Sequence, residues 1–546
     1  MAIKKQTFMN GVLIIMISQI LIKLLGFIYR IILTNFPQFA DEGNSYYGSG
    51  YQVYTFILAI ATMGIPNTIS KLVSEKMAIG DKRGAHRIFR TAMVVFTFIA
   101  VLFSLGLFFG AEAISTHVLK NPGVKYTLMA LSPAIIFVAM SATLRGYFVG
   151  MENMSQYSKT QIIEQIVNSV FSVIFVVMLF GNSPEIMAAG STLATTVAAS
   201  VAFAYLLRYY NKNKRDIWAD IRKSEKFALE PKKKIAKKLI SYAIPLSFAS
   251  VVVALSGVID LVTVMDGLQK FGYDIVTANE KFGILLGKVD ILTAIPLSIN
   301  VAFSVALVPF VSSAIARHKK DEAVKKINYS LKISSIIALP CAAGLFILAQ
   351  PIFDLVFPNA TAGAKLLQIQ CWMIIFSVID QTLSGSLQGL GKLYVPGACL
   401  AIGAVIKYIL NVIFIPRYGE VVPAITTIIY NFTACFLCFI ILFKTLKQKP
   451  NMKELFGKPI IATIFMAISA LLSYKLLMYL NLGNAIGTIV SIIIAIIVYG
   501  FFVIKINILS TEELKQLPFG DKLCKKLRKT CYNSQPNKKM HQNMRE

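Results

Sequence analysis

Lys23 stands in the middle of the first apolar stretch, GVLIIMISQILIKLLGFIYRIIL (Gly11 to Leu33), and Arg30 follows seven residues later. Seven residues is close to two helical turns, so both cations fall on one helix face. A cation at bilayer mid-depth is costly and faces a cavity, a partner or a polar substrate. Arg30, near the end of the stretch, can instead snorkel to the interface. Lys23 has about a dozen apolar positions on either side and is expected to face a cavity. The other ionisable residues in apolar stretches are Glu164, Asp260, Lys288, Asp290, Asp380 and Lys407. Lys407 lies near mid-depth. Lys288 and Asp290 lie toward one end of their span and are placed to pair with each other. Asp260 lies nearer an interface on that same side, and solvation alone would account for Glu164 and Asp380, which lie near the opposite interface. Lys23, Arg30 and Lys407, with Lys288, would make a cationic cavity suited to an anion. A diphosphate fits, because several donors can converge on its oxygens. Helix breakers accompany these residues: Gly64 and Pro66, Pro245, Pro296 and Pro309. Each removes or weakens a backbone hydrogen bond, giving a hinge that bends during transport or a static kink fixed by packing.

The elements that position these residues are membrane helices. Of 546 residues 56% are hydrophobic, mean hydropathy is +0.66, and apolar runs of about 20 residues, long enough to cross a bilayer, recur along the chain. The expected fold is all-α and polytopic, with about fourteen spans, at roughly 11–34, 51–73, 91–112, 126–149, 159–181, 186–207, 239–265, 282–312, 329–350, 365–389, 394–415, 421–443, 459–479 and 484–505. The net charge of +28 is concentrated in alternate short loops, which sets orientation and does not indicate nucleic-acid binding. Lys76, Lys82, Arg83, Arg87 and Arg90 follow span two, Arg317, Lys319, Lys320, Lys325 and Lys326 follow span eight, and Lys444, Lys447, Lys449, Lys453 and Lys458 follow span twelve. The first loop on the other side has Asp41 and Glu42 and no Lys or Arg. The expected location is the plasma membrane with both termini cytoplasmic, and the first span is read as an uncleaved helix. Seven cysteines show no disulfide pattern, and Cys435-x-x-Cys438 lies in an apolar helix without nearby histidine. No metal site, catalytic triad or phosphate-binding glycine loop is evident, so neither an enzyme nor a cofactor is expected.

The chain is internally repeated. TLRGYFVG (Thr143 to Gly150) aligns with TLSGSLQG (Thr382 to Gly389) at a shift of 239 residues. At the same shift NSVFSVIF (Asn168 to Phe175) falls on KYILNVIF (Lys407 to Phe414), and the basic loop at Lys82 falls on the one at Lys320 at a shift of 238. The expected organisation is an N-lobe at 1–207, a basic linker at 208–238, a C-lobe at 239–445, two further helices at 446–506 and a basic tail at 507–546. Within the tail Ser510 and Glu513 form a capping box, which fits a short helix on the membrane surface or an unstructured segment. Six spans is an even number, so the repeats share orientation, and parallel repeats place a substrate between them and alternate access by rocking.

KLLGFIYR (Lys23–Arg30), DEGNSYYG (Asp41–Gly48), GIPNTISKLVSE (Gly64–Glu75) and LRGYFVGMENM (Leu144–Met154) resemble the MurJ/stage V sporulation protein B group. That group is the polysaccharide-flippase branch of the MATE-like (MOP) exporter superfamily, and the resemblance runs over about residues 8–505. It implies fourteen helices in two six-helix lobes, with a two-helix groove for a polyprenyl tail. The implied cargo is lipid II or another undecaprenyl-diphosphate-linked glycan, moved from the inner to the outer leaflet. The group's basic pair on the first helix falls on Lys23 and Arg30, with Lys where Arg is common. Its acidic loop position falls near Asp41, and its acidic residue before the span-eight proline falls on Asp290. The basic residue that often follows is Ile291 here, with Lys288 as a substitute, and a basic position early in span two is missing near Thr55.

The expected function is therefore translocation of a lipid-linked anionic cell-wall precursor by alternating access. The membrane potential would drive it, at about 2.3 kcal/mol per charge per 100 mV. Na+ or H+ coupling through Asp290 or Asp380 is left open, with Asp41, Glu164 and Asp260 as further coupling or gating residues. The alternatives are a flippase for another polymer (capsule, teichuronic acid or spore cortex) and a MATE-type drug/cation antiporter, which would be expected to have an acidic cavity. Outside transport they are a glycosyltransferase, which would need acids in a large outer loop, and a scaffold, which would not explain Lys23. The expected partners are the lipid-linked glycan and membrane lipids, with the chain a monomer.

Overall fold

The computed structural model describes residues 8–62, 64–151, 153–224, 227–447 and 451–509. The capping box of the tail, Ser510 and Glu513, lies outside them. In chain order the helices are α1 (Phe8–Thr34), α2 (Ala40–Thr62), α3 (Ile65–Ala78), α4 (Lys82–Ala113), α5 (Val124–Gly150), α6 (Met154–Met178), α7 (Pro184–Lys223), α8 (Lys232–Phe271) and α9 (Ile275–Ile284). They continue with α10 (Asp290–Ala316), α11 (Lys320–Ile347), α12 (Ala349–Val356), α13 (Ala364–Gln370), α14 (Met373–Gly389), α15 (Val395–Tyr418), α16 (Val422–Leu446), α17 (Lys458–Tyr479) and α18 (Gly483–Lys505). Among the described residues, twelve helical stretches are long and apolar enough to cross a membrane. One of them, Val395–Leu446, holds two helices, α15 and α16, that turn on Gly419. Taking it as two, counting α2–α3, α9–α10 and α13–α14 once each and adding α1 gives fourteen crossings among the described residues.

Packing repeats as the sequence does. In the first half α1 packs on α6, α5 on α7, and α4 on α5; in the second α8 packs on α15, α14 on α16, and α11 on α14. The matched glycines explain why the motif recurs. A Cβ on Gly146 would lie 2.8 Å from the Pro66 carbonyl oxygen, and one on Gly385 would lie 2.9 Å from that of Ser304. Gly150 likewise abuts Val73 and Gly389 abuts Val311. In each half, then, the fourth crossing approaches the second through two glycines one turn apart, as small residues allow in membrane helices. Helices α17 and α18 pack on each other and lean on α11 and α12, with Tyr499 donating to the Ile336 carbonyl at 2.9 Å.

The stretch from Arg208 to Lys238 is mostly helical, because α7 runs on to Lys223 and α8 starts at Lys232. Its short non-helical part is tied to the first half through Glu230, which meets Lys76 at 3.7 Å and Lys238 at 2.8 Å. The hydrogen bond from Lys238 holds the Glu230 carboxyl below its usual range.

The breakers divide into two kinds. Helix α2 ends at Thr62 and α3 begins at Ile65, with Pro66 in the first turn of α3, where its missing N–H costs nothing. Helices α8 and α10 run unbroken through Pro245 and Pro296. Near α10 the irregularity is instead a π turn, Leu285–Val289, which carries Lys288.

Candidate functional site

The two halves meet most tightly at the end opposite the basic loops, where the starts of α2 and of the α9 crossing lie against each other. Gly48 sits against Leu286, and Gly287, its repeat equivalent at a shift of 239, sits against Asn44. Around this crossing Asn279 accepts from Ser45 at 2.7 Å and from Asn121 at 2.6 Å. Lys120 pairs with Asp266, and Asn35 donates to the Val356 carbonyl at 2.8 Å. Asp41, expected in a loop, stands in the first turn of α2, a favourable place for a carboxylate against the helix dipole.

Lys288 belongs to this closure. Its side chain is fully buried, and its Nζ donates to Asp41 at 2.8 Å and to the carbonyls of Ala360 at 2.6 Å and Ala362 at 3.1 Å. The expected pair between Lys288 and Asp290 does not form. Neighbours in a helical chain point about 100° apart per residue, and Asp290 instead accepts from Gln370 at 2.5 Å. Lys407 is spoken for as well. It lies 2.6 Å from Asp260, whose other oxygen accepts from Asn411 at 3.1 Å. The expected four-cation cavity is therefore not assembled among the described residues. In a low-dielectric interior an unpaired charge is costly, so Lys288 and Lys407 are neutralised by acids on other helices.

The first helix keeps its charge available. Its outer stripe is Leu21, Leu24, Ile28 and Ile32, each 44–53% exposed. Lys23 is exposed too, but it lies roughly 145° around the helix from the middle of that stripe. Gln19, one turn earlier on Lys23's side, donates to Gln161 of α6 at 2.8 Å. Lys23 is thus open toward the inside of the helix assembly and has no ion pair with another described residue. Two turns on, the Arg30 guanidinium lies 4.2 Å from the centroid of the Tyr47 ring, and its buried Nη1 has no hydrogen-bond partner. Tyr29 and Tyr47 share a hydrogen bond of 2.9 Å. Tyr47, Tyr51 and Tyr54 form a ladder along α2 with ring centroids 5.8 and 5.6 Å apart.

Two features escaped the sequence reading. Arg145, inside the repeated TLRGYFVG motif, pairs with Glu164 at 2.6 Å, so solvation is not what accommodates that acid. The tyrosine ladder was signalled by the i, i+4, i+7 spacing of Tyr47, Tyr51 and Tyr54, which puts them on adjoining turns of one face. The hinge candidates Gly64 and Pro245 converge. A Cβ on Gly64 would lie 2.6 Å from the Ala243 carbonyl and 2.7 Å from Ser247, on the α8 turn around Pro245. Asp380 lines a separate cavity of about 440 Å3 with Thr55, Ser250, Gln381, Ser384 and Gln388.

Comparison with known proteins agrees with this architecture. Over 550 residues, 96% of this chain and 98% of the other, the chain is 26% identical to the uncharacterized membrane protein YabM of Bacillus subtilis. It is 26% identical to the lipid II flippase MurJ of the same organism, over 74% of this chain and 76% of that one. It is 25% identical to that organism's stage V sporulation protein B, over 74% and 77%. Among solved structures, a lipid II flippase MurJ in an inward closed conformation superposes with a TM-score of 0.65, covering 90% of this chain and 98% of that one at 16% identity. An inward-facing multidrug resistance MATE family transporter of the MOP superfamily gives 0.63 over 80% and 98%, also at 16% identity. Residues 286–413 match the MatE family. Residues 8–315, more than half of the chain, match the polysaccharide biosynthesis protein family, to which this multi-pass membrane protein belongs.

Proposed function

We propose that the chain is a flippase, and not an enzyme. It moves an undecaprenyl-diphosphate-linked cell-wall precursor, lipid II foremost, from the inner to the outer leaflet by alternating access. The observation that carries the reading is Lys23: an ammonium within a membrane helix, exposed on the face turned from the apolar outer stripe, two turns before Arg30 with its unpaired Nη1 on the same face. Two donors so placed suit the oxygens of a diphosphate. The relatives named as flippases support the same class of cargo.

With the basic loops in the cytoplasm, as the charge rule has it, the glycine-crossed end is the outer gate, and the structure is the outward-closed state. Cargo enters from the inner leaflet, its diphosphate meets Lys23 and Arg30, and opening requires α2 and the α9 crossing to part. Each net negative charge moved outward gains about 2.3 kcal/mol per 100 mV of inside-negative potential.

The test is rescue of a bacterium depleted of its lipid II flippases, with flipped lipid II probed from outside. The wild-type chain should rescue, Lys23→Arg should retain activity, and Lys23→Ala should lose most of it at equal membrane expression. Rescue by Lys23→Ala would remove the diphosphate site. Failure of the wild type with normal insertion would transfer the proposal to another undecaprenyl-linked glycan.

A further inference from the structure

Of the five acids singled out from the sequence, four have a strong donor. Asp41 has Lys288, Asp260 has Lys407, Glu164 has Arg145 and Asp290 has the Gln370 amide. Asp380 is the exception. It is 8% exposed, its Oδ1 lacks a strong hydrogen-bond partner, its Oδ2 receives the Ser384 hydroxyl at 3.5 Å, and the Cys438 thiol, a weak donor, is its other neighbour. No described Lys or Arg lines its cavity. The wall is mostly apolar surface, with Val253, Pro396 and Leu400 among the residues that make it, and Thr55, Ser250, Gln381, Ser384 and Gln388 set hydroxyl and amide groups into it. On α14 the polar positions 380, 384 and 388 follow helical spacing, forming one stripe along the cavity.

A buried carboxylate without a counter-charge is costly, and a ligand that supplies the charge relieves that cost. A mostly apolar wall with a few amide and hydroxyl groups suits the face and edge of a sugar ring, and a primary ammonium has three donors to share among Asp380 and its neighbours. We infer that this cavity is a binding subsite for the ammonium of an amine-bearing sugar or side chain in the cargo headgroup. The inference rests on the flippase reading and sharpens it: the cargo is zwitterionic. Its diphosphate lies at Lys23 and Arg30, and its amine lies at Asp380. Thr55 joins the two regions, standing eight residues along α2 from Tyr47, about 12 Å of helix, so the two charges of the headgroup are read at different depths.

The experiment uses the full chain in nanodiscs and in liposomes. Undecaprenyl diphosphate glucosamine and its N-acetyl counterpart differ only in the amine, so the wild type should flip the free amine about tenfold faster. Such a ratio corresponds to about 1.4 kcal/mol. Asp380→Asn should erase the preference, so that within the variant both lipids flip at one rate, and Gln388→Leu, which keeps the carboxylate, should reduce it. Methyl glucosaminide should raise the melting temperature of the wild type and not of Asp380→Asn, a readout independent of flipping. Amine-selective stabilisation without any flipping would uphold the site and sink the flippase reading. Equal rates for both lipids, or Asp380-dependent stabilisation by Na+ or by acid alone, would overturn the inference and assign the carboxylate to a small cation or a proton.

Discussion

Asp41→Asn tests whether the Lys288 contact governs the gate. Lys288 is anchored in its own half by the Ala360 and Ala362 carbonyls, and those bonds persist when the halves separate. Only the bond to Asp41 at 2.8 Å crosses between the halves. Asparagine can still accept that bond, so what is lost is its charge assistance. A hydrogen bond involving a charged group contributes about 1.5–3 kcal/mol against about 0.5–1.5 for a neutral one. The closed state is thus weakened by roughly 1–2 kcal/mol, and the open-to-closed ratio rises about 5- to 30-fold. Ser45→Cys reports it, since Ser45 is fully buried against Asn279 in the closed end. Labelling of that cysteine by a membrane-impermeant maleimide in nanodiscs should accelerate by the same 5- to 30-fold when Asp41→Asn is added. A change below twofold would show that the pair does not bias the gate. Slower labelling would show that the pair favours the open end and would reverse the argument.

Two further perturbations separate packing from charge. Gly146→Ala and Gly385→Ala each push a methyl against backbone of the facing helix and should each cost about 1–3 kcal/mol in thermal unfolding; Gly106→Ala, with open space around it, should be neutral or slightly stabilising, and equal melting of all three would refute the shared crossing. Lys407→Met strands the Asp260 carboxylate and should cost about 3–5 kcal/mol, whereas adding Asp260→Asn should restore most of it; a double variant no more stable than the single one would show that the pair is not what makes Lys407 necessary.

Local chemistry was enough to read most of the scaffold. Apolar runs of membrane length, a constant shift between Thr143–Gly150 and Thr382–Gly389, and cations gathered in alternate loops are properties of the chain itself. They foretold the crossings and the repeat, while the resemblance that the family match upholds was carried by motifs such as KLLGFIYR and LRGYFVGMENM. Lys23 could be singled out because a cation flanked by about a dozen apolar residues on each side has few inexpensive places to go. The stretch from Arg208 to Lys238 was harder to read, because helical and loop segments on the membrane surface can be equally rich in Lys. Even there, the Glu230 pair with Lys76 arises from a contact between segments far apart in sequence.

What the sequence determined, then, was which residues are costly to bury in the membrane; what tertiary structure decided was how each of them is accommodated. Lys288 and Asp290, two residues apart, go to different partners because those partners, Asp41 and Gln370, come from α2 and α13. Lys407 is neutralised by an acid 147 positions away, and Arg30 rests on a tyrosine of the next helix. Lys23, Arg30, Asp290 and Asp380 are left without a counter-charge among the described residues. Pairing depends on which side chains the packed helices bring within a few ångströms, and hydropathy and spacing along a single chain do not contain those distances.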